Sequence, residues 1–262
     1  MAVSQDVKGT IMEKRLTEWK NKCALVTGAS AGVGKATVHV LAQLGMKVAI
    51  AARRRERLEE LAADLKNQAA DVLVLSGDQI DPEFNRQMFA EIRQRWGGVD
   101  LLVNNAGKSG GKGVADADFD EAQSCLNLNV RAAFICMQEA VKDMRRHGFG
   151  TIINISSMTG HRTVPGRGSG VYGASKHALR AVTEGLRCEL TAQKAGIKVS
   201  LISPGMIDTE WHRDRSNLEK RPDYDFEPLA PEDVAEAVLY ILSTSPHANV
   251  CDVLLRPVEQ VF

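Results

Sequence analysis

Short apolar runs recur along the chain, and each is followed by a segment whose apolar residues return every three or four positions. The runs are CALVTG (23–28), KVAIAA (47–52), DVLVLSG (71–77), DLLVNNAG (100–107), TIINISS (151–157), IKVSLISPG (197–205) and CDVLLRP (251–257). Between them lie a helical pattern starting near Gly34, then RERLEELAADLK, PEFNRQMFAEIRQRW, the long segment 119–146, VYGASKHALRAVTEGLRCELTAQ and PEDVAEAVLYILST. The runs are apolar throughout instead of alternating, so both faces of the sheet they form must be covered. Such alternation predicts an α/β, doubly wound single domain: seven parallel strands, joined by right-handed crossovers through six main helices. The chain offers no linker, low-complexity tract or internal repeat at which to divide it. The last helix has a legible start, because Pro231 suits a first turn and Glu232 and Asp233 complement its positive end.

At 262 residues the chain can bury a full core, and 44% apolar with 25% charged residues is ordinary soluble usage. A balance of 33 basic against 33 acidic residues argues against a nucleic-acid-coating protein, while leaving room for a local basic site. Cys23, Cys125, Cys136, Cys188 and Cys251 show no CxxC and no metal spacing with histidine. They read as buried small apolar residues in a reducing, cytoplasmic setting, with no metal site. No run reaches the roughly 18 apolar residues of a membrane span, and the first 22 residues lack the apolar core of a secretory signal. Residues 1–18 read as a poorly tethered extension, with Ile11, Met12, Leu16 and Trp19 only weakly patterned for a membrane surface; residues 19–262 form the domain.

The turn after the first run, TGASAGVG, holds Gly28, Gly32 and Gly34. Glycines there let the chain pass from strand to helix while exposing amides to a diphosphate. The GxxxGxG spacing differs from the general GxGxxG dinucleotide fingerprint, and Lys35-Ala36 lacks the ending of an ATPase loop. At the end of the second run, Ala52 stands where a carboxylate would meet the ribose of NAD, and Arg53 and Arg54 follow at once. Guanidinium groups suit a phosphate, so Arg53, assisted by Arg54, is the expected ligand for the 2′-phosphate of NADP(H), with Arg55 and Arg57 left to solvent. In VYGASKHAL, Tyr172 and Lys176 are four apart and share a helix face.

Taken together, TGASAGVG (27–34), NNAG (104–107), Asn129 in LNLNV, ISS (155–157), YGASK (172–176) and PGMIDT (204–209) resemble the short-chain dehydrogenase/reductase family from about residue 20 to the C-terminus. The tail, PEDVAEAVLYILSTSPHANVCDVLLRPVEQ, with SSMTGHR, is similar to a subgroup of dehydrogenase/reductase member 11, insect farnesol dehydrogenases and bacterial NADP-dependent 3-hydroxy acid or serine dehydrogenases. The resemblance implies a Rossmann fold and a catalytic set of Asn129, Ser157, Tyr172 and Lys176. It makes Tyr172 the acid/base, Lys176 the ammonium that favours its phenolate and holds the nicotinamide ribose, and Asn129 a scaffold or proton-relay group.

Ser157, the second serine of ISS, is expected to donate to the substrate oxygen. Its distance from Tyr172 is two residues longer than the family's usual spacing, which the glycine-rich segment 158–170 can absorb. Ser156 is the lesser candidate, and Thr159 lies beyond the strand-edge motif. The same resemblance puts the cofactor against Gly28, Ser30, Gly32, Val33 and Gly34, against Asn104, Ala106 and Gly107, and against Asp78 at the adenine. It also puts Pro204, Gly205, Ile207 and Thr209 at the nicotinamide, with Tyr172 and Lys176. Gln79 replaces the aliphatic residue common in the family beside adenine.

The substrate wall is expected at 108–118, at 158–171 and after Met206, with a lid around 206–229. Met158, Val164, Met206 and Trp211 could line it for a lipid-like alcohol or steroid; His161, Arg162, Arg167 or Arg213 could face the carboxylate of a small hydroxy acid. His161 and His212 are the rival imidazole bases. The preferred reading is a broad carbonyl reductase/alcohol dehydrogenase acting on a small-molecule carbonyl or alcohol. A 3-hydroxy acid or serine dehydrogenase and a non-catalytic dinucleotide-binding regulator are the alternatives. Segments 119–146 and 171–194 match helices that pair in family members, so a homo-oligomer, tetramer or dimer, is expected.

Overall fold

The computed structural model describes residues 5–163, 169–210 and 225–261. Seven strands run in chain order: β1 Cys23–Thr27, β2 Lys47–Ala52, β3 Asp71–Ser76, β4 Leu101–Asn104, β5 Gly150–Ile155, β6 Ile197–Pro204 and β7 Asp252–Leu255. All pair in parallel in the order β3-β2-β1-β4-β5-β6-β7. The helices are α1 Gln5–Thr17, α2 Gly32–Gln43, α3 Arg55–Leu65, α4 Pro82–Trp96, α5 Phe119–Leu126, α6 Ala133–His147, α7 Ser169–Ala192 and α8 Pro231–Leu242.

The unbroken apolar runs have their explanation in the two cores. Ala24, Val26, Val48, Ile50, Leu101 and Val103 face α2, α3 and α8, packing with Leu41, Leu58 and Val238. Their neighbours Leu25, Ala49, Ala51 and Leu102 face the opposite layer, with Met88 and Phe89 of α4 and Met144 of α6. A two-residue strand period therefore fills both sides of one sheet. Helix starts follow local chemistry: Asp81 caps α4 by accepting from the Glu83 amide at 2.9 Å, and Asp118 caps α5 from Glu121 at 2.9 Å. Ahead of α8, Ala230 offers no acceptor, but Asp233 takes the Ala230 amide at 2.8 Å.

Two expectations change. The segment read as a poorly tethered extension is helical from Gln5, and its end is held: Trp19 Nε1 donates to the Leu242 carbonyl at 3.2 Å and Arg15 Nη1 to that of Ser243 at 3.3 Å. These are end carbonyls of α8 that its own backbone cannot satisfy. Of the cysteines, Cys23, Cys125 and Cys136 are buried, but Cys188, on α7, and Cys251, just before the edge strand β7, are exposed. No helix among the described residues is long and apolar enough to cross a membrane.

The strand order reverses direction between β1 and β4, so the loops leaving those strands diverge and open a crevice at their C-terminal ends. The ends of β1, β2, β4, β5 and β6, with the first turns of α7, frame the site.

Candidate active site

Tyr172 and Lys176 lie one turn apart on α7, and the Lys176 ammonium sits 5.6 Å from the centre of the Tyr172 ring. Lys176 is 4% exposed, and its Nζ donates to the carbonyl of Ile155, the last residue of β5, at 2.9 Å. Burial pushes the ammonium down to about 8. A cation is therefore held under a half-buried phenol, anchored to the sheet.

The two serines after β5 separate as strand geometry requires. Ser156 is buried and donates to the Lys176 carbonyl at 3.4 Å, beneath α7. Ser157 is extended (φ −166°, ψ 158°), half-buried, and accepts from the Thr159 amide at 3.2 Å. The 3-10 turn Met158–Gly160 that follows presses on α7: a Cβ on Gly160 would lie 2.9 Å from both the Lys176 carbonyl oxygen and Ser156 Oγ. Gly160 thus lets the serine-bearing strand end approach the tyrosine-bearing helix. Thr159 Oγ1 is buried and finds no partner among the described residues.

Asn129 occupies a π turn, Asn127–Ala132, inserted between α5 and α6. Sequence periodicity read the whole stretch as helical; the wider turn is a tertiary feature of the kind found at functional sites. The Asn129 amide accepts from the Lys108 backbone N–H and donates to the Lys108 carbonyl, both at 2.9 Å. It also donates to Ser175 Oγ at 2.9 Å, and Ser175 donates to the Tyr172 carbonyl at 2.7 Å. One buried side chain so ties the loop after β4 to the helix carrying Tyr172 and Lys176. Gly107 lies beside it, with its Cβ direction 3.4 Å from Asn129 Oδ1 and 3.7 Å from Lys176 Nζ.

The glycine turn is built for close packing. Gly28 and Gly32 have φ of 66° and 51°, and a Cβ on Gly34 would strike the Gly28 carbonyl. Asn105, which sequence reading passed over inside NNAG, donates to the Thr27 and Gly28 carbonyls at 2.9 and 3.2 Å. Thr27 Oγ1 in turn accepts from the amides of Asn105 and Ala106, both at 3.0 Å. The start of α2 has no side-chain cap and no acidic residue in its first turn, so its leading amides suit an anion. Val33 is buried in the core behind the turn. Beside the turn, Arg54 Nη2 donates to Ser30 Oγ at 3.0 Å, and Arg53 is exposed at the end of β2. An uncapped helix start flanked by guanidinium groups is a donor set that fits a dinucleotide with a further phosphate.

Comparison with known proteins agrees with this arrangement. The family model described as short chain dehydrogenase matches residues 22–220. The chain belongs to the short-chain dehydrogenase/reductase family. It is 39% identical over 254 residues to dehydrogenase/reductase SDR family member 11 of Bos taurus, covering 94% of this chain and 100% of that one. Among solved structures, a short-chain type dehydrogenase/reductase from Mycobacterium marinum superposes with a TM-score of 0.84 at 29% identity, over 93% of this chain and 97% of that one. The closed form of a serine dehydrogenase complexed with NADP+ gives 0.83 at 30% identity, over 92% and 96%. This chain is an oxidoreductase of that family.

The other residues carried over from the family each have a definite place in the fold. Asn104 is 4% exposed and its amide is committed inward, to the Ala133 carbonyl at 3.2 Å and Asn154 Oδ1 at 2.8 Å; only its backbone is left for a cofactor wall. Asp78 is exposed and accepts from the Ile80 amide at 2.9 Å. Gln79 is 5% exposed and turned into the interior, 3.5 Å from Asn85 Oδ1. Pro204 closes β6 against Leu255, and Ile207 bridges to Leu229. Thr209 lies against the glycine turn, its methyl 3.1 Å from the Cβ direction of Gly32.

Gln260 is the main residue missed by sequence reading. Its Oε1 accepts from the Met206 amide at 3.1 Å and fills the space a Gly205 side chain would take, while Nε2 contacts Met158 Sδ at 3.1 Å. It couples the turn after β5 to the turn after β6, and its residue type carries no local signal of that role. His161 Nε2 pairs with Ser203 Oγ at 2.9 Å and lies 3.5 Å from Asp252, which makes it a link between the 3-10 turn and the sheet edge. Val164, Arg167, Trp211, His212, Arg213 and most of the expected lid lie outside the described residues.

Proposed function

We propose that this protein is an NADP(H)-dependent oxidoreductase interconverting an alcohol and its carbonyl compound, with broad carbonyl reductase/alcohol dehydrogenase specificity. The observation that carries this reading is a phenol set one helical turn from a buried, anchored ammonium. A free phenol titrates near about 10. The Lys176 charge favours the phenolate of Tyr172, which brings proton exchange with a substrate oxygen into the working range. In reduction the Tyr172 hydroxyl gives its proton to the carbonyl oxygen; in oxidation the phenolate takes the alcohol proton. Ser157 donates a hydrogen bond to the same oxygen. Asn129 fixes the position of Lys108 relative to α7, holding the wall of the reaction site in register. The nicotinamide, when bound, supplies or receives the hydride. Arg53, with Arg54 and Ser30, would hold the 2′-phosphate, and the start of α2 the diphosphate.

The resemblance to a serine dehydrogenase complexed with NADP+ favours a second reading, oxidation of a small hydroxy acid. NADP(H)-linked turnover of a panel of dicarbonyls, steroids, farnesol-like alcohols and 3-hydroxy acids separates the two. Tyr172→Phe should lose most turnover, at least about a hundredfold, while keeping NADPH affinity; turnover equal to wild type would remove the acid/base assignment. Cofactor binding with no turnover on any substrate would favour a regulatory protein. A homo-oligomer built through α5, α6 and α7 is supported by exposed Phe119 and Phe134, and light scattering would distinguish dimer from tetramer.

A further inference from the structure

The guanidinium groups beside the glycine turn already hold an anion supplied by the chain itself. Arg54 reaches Ser30 Oγ through Nε and Nη2, at 3.3 and 3.0 Å, and turns Nη1 toward Glu210 Oε2 at 3.4 Å. Arg57, three residues further along α3, places its Nη1 2.6 Å from the same carboxylate oxygen. Glu210 comes from a remote part of the chain, directly after Thr209, which rests on Gly32. The carboxylate is therefore delivered across the glycine turn to the end of β2. Sequence reading left Arg57 to solvent; here it faces Glu210 as the second member of a cationic pair.

We propose that Glu210, seated on Arg57, acts as an internal anion that competes with the cofactor's 2′-phosphate for Arg54, and so sets the margin by which NADP(H) is preferred over NAD(H). This rests on the NADP(H) reading above. The three side chains are about half exposed, at 45% for Arg54, 43% for Arg57 and 51% for Glu210, so the contact is weak and exchangeable in water. A phosphate monoester carries more charge than a carboxylate and has three acceptor oxygens. It therefore outcompetes Glu210, but only after the carboxylate has been displaced and left near a second anion. Arg57 holds the Glu210 carboxyl below its ordinary range, so the competing charge is present throughout neutral pH. A cofactor with a free 2′-hydroxyl brings no phosphate to this position and does not meet the competition.

The test uses full-length protein and the variants Glu210→Gln and Glu210→Ala, titrated with NADPH, 2′,5′-ADP and NADH at low and high salt. Both variants should bind NADPH and 2′,5′-ADP about two- to fivefold more tightly than wild type, with the gain shrinking as salt is raised. NADH affinity should be unchanged, which also reports that the glycine turn is intact. Unchanged or weaker NADPH binding in both variants, with NADH binding retained, would overturn the proposal; weaker binding would mean that Glu210 orients the arginines for the phosphate. The cofactor reading fails separately, and takes the proposal with it, if wild type binds NADH as tightly as NADPH and does not bind 2′,5′-ADP.

Discussion

Lys176→Met should abolish turnover and, in the nucleotide-free protein at neutral pH, raise stability. The Lys176 ammonium is 4% exposed, and desolvation moves its titration from 10.5 to about 8, against a small opposing attraction from Cys125. At about 1.4 kcal/mol per pH unit, keeping the charged form folded costs about 3 kcal/mol. The unfolded chain keeps the proton up to 10.5, whereas the folded chain releases it near 8. Between those values the unfolded state binds more protons, so wild-type stability gains from this residue as pH rises, and the full cost is present below 8. Methionine removes the charge at similar length but gives up the bond to the Ile155 carbonyl, a loss of about 1–3 kcal/mol. The net expectation is a gain of about 1 kcal/mol at pH 7. That advantage should shift by about 3 kcal/mol in favour of wild type by pH 10.5. Urea unfolding of both proteins at matched concentration, from pH 6.5 to 10.5, measures the difference directly. A difference that stays constant across this range would refute the claim that the fold strains this ammonium to keep it under Tyr172.

Three further substitutions test other parts of the argument. Arg53→Ala should weaken NADPH binding by about tenfold or more and NADH binding less than twofold; equal losses in titrations of both cofactors would count against the phosphate assignment. Gly160→Ala puts a Cβ 2.9 Å from the backbone oxygen of Lys176, which should cost about 1–3 kcal/mol in unfolding experiments. It should also lower kcat with little change in NADPH affinity, because it moves Ser157 relative to Tyr172. Trp19→Phe removes the donor to the Leu242 carbonyl and should cost about 1 kcal/mol, read as a lower Tm, without changing kcat.

The sequence by itself determined the layers and the pairing of Tyr172 with Lys176 on one helix face. Runs apolar on both faces require a covered parallel sheet, and the seven runs fall on the seven strands. Tyr172 and Lys176 were legible because a helix places positions four apart on one face whatever surrounds it. What reaches across the fold was not legible. The resemblance named Asn129, but helical periodicity cannot announce its π turn or its partners, the Lys108 backbone of another loop and Ser175 of α7. Gln260 and Asn105 act by filling hydrogen bonds of chain segments far away in sequence, and neither residue type signals such a role locally. No local pattern announced that packing turns the side chains of Gln79, Asn104 and His161 toward Asn85, Asn154 and Ser203. Glu210 met Arg57 only once the segment after β6 had crossed to the end of β2. Local periodicity fixes which face a side chain occupies; only the closed tertiary structure decides which distant donor, acceptor or charge that face meets.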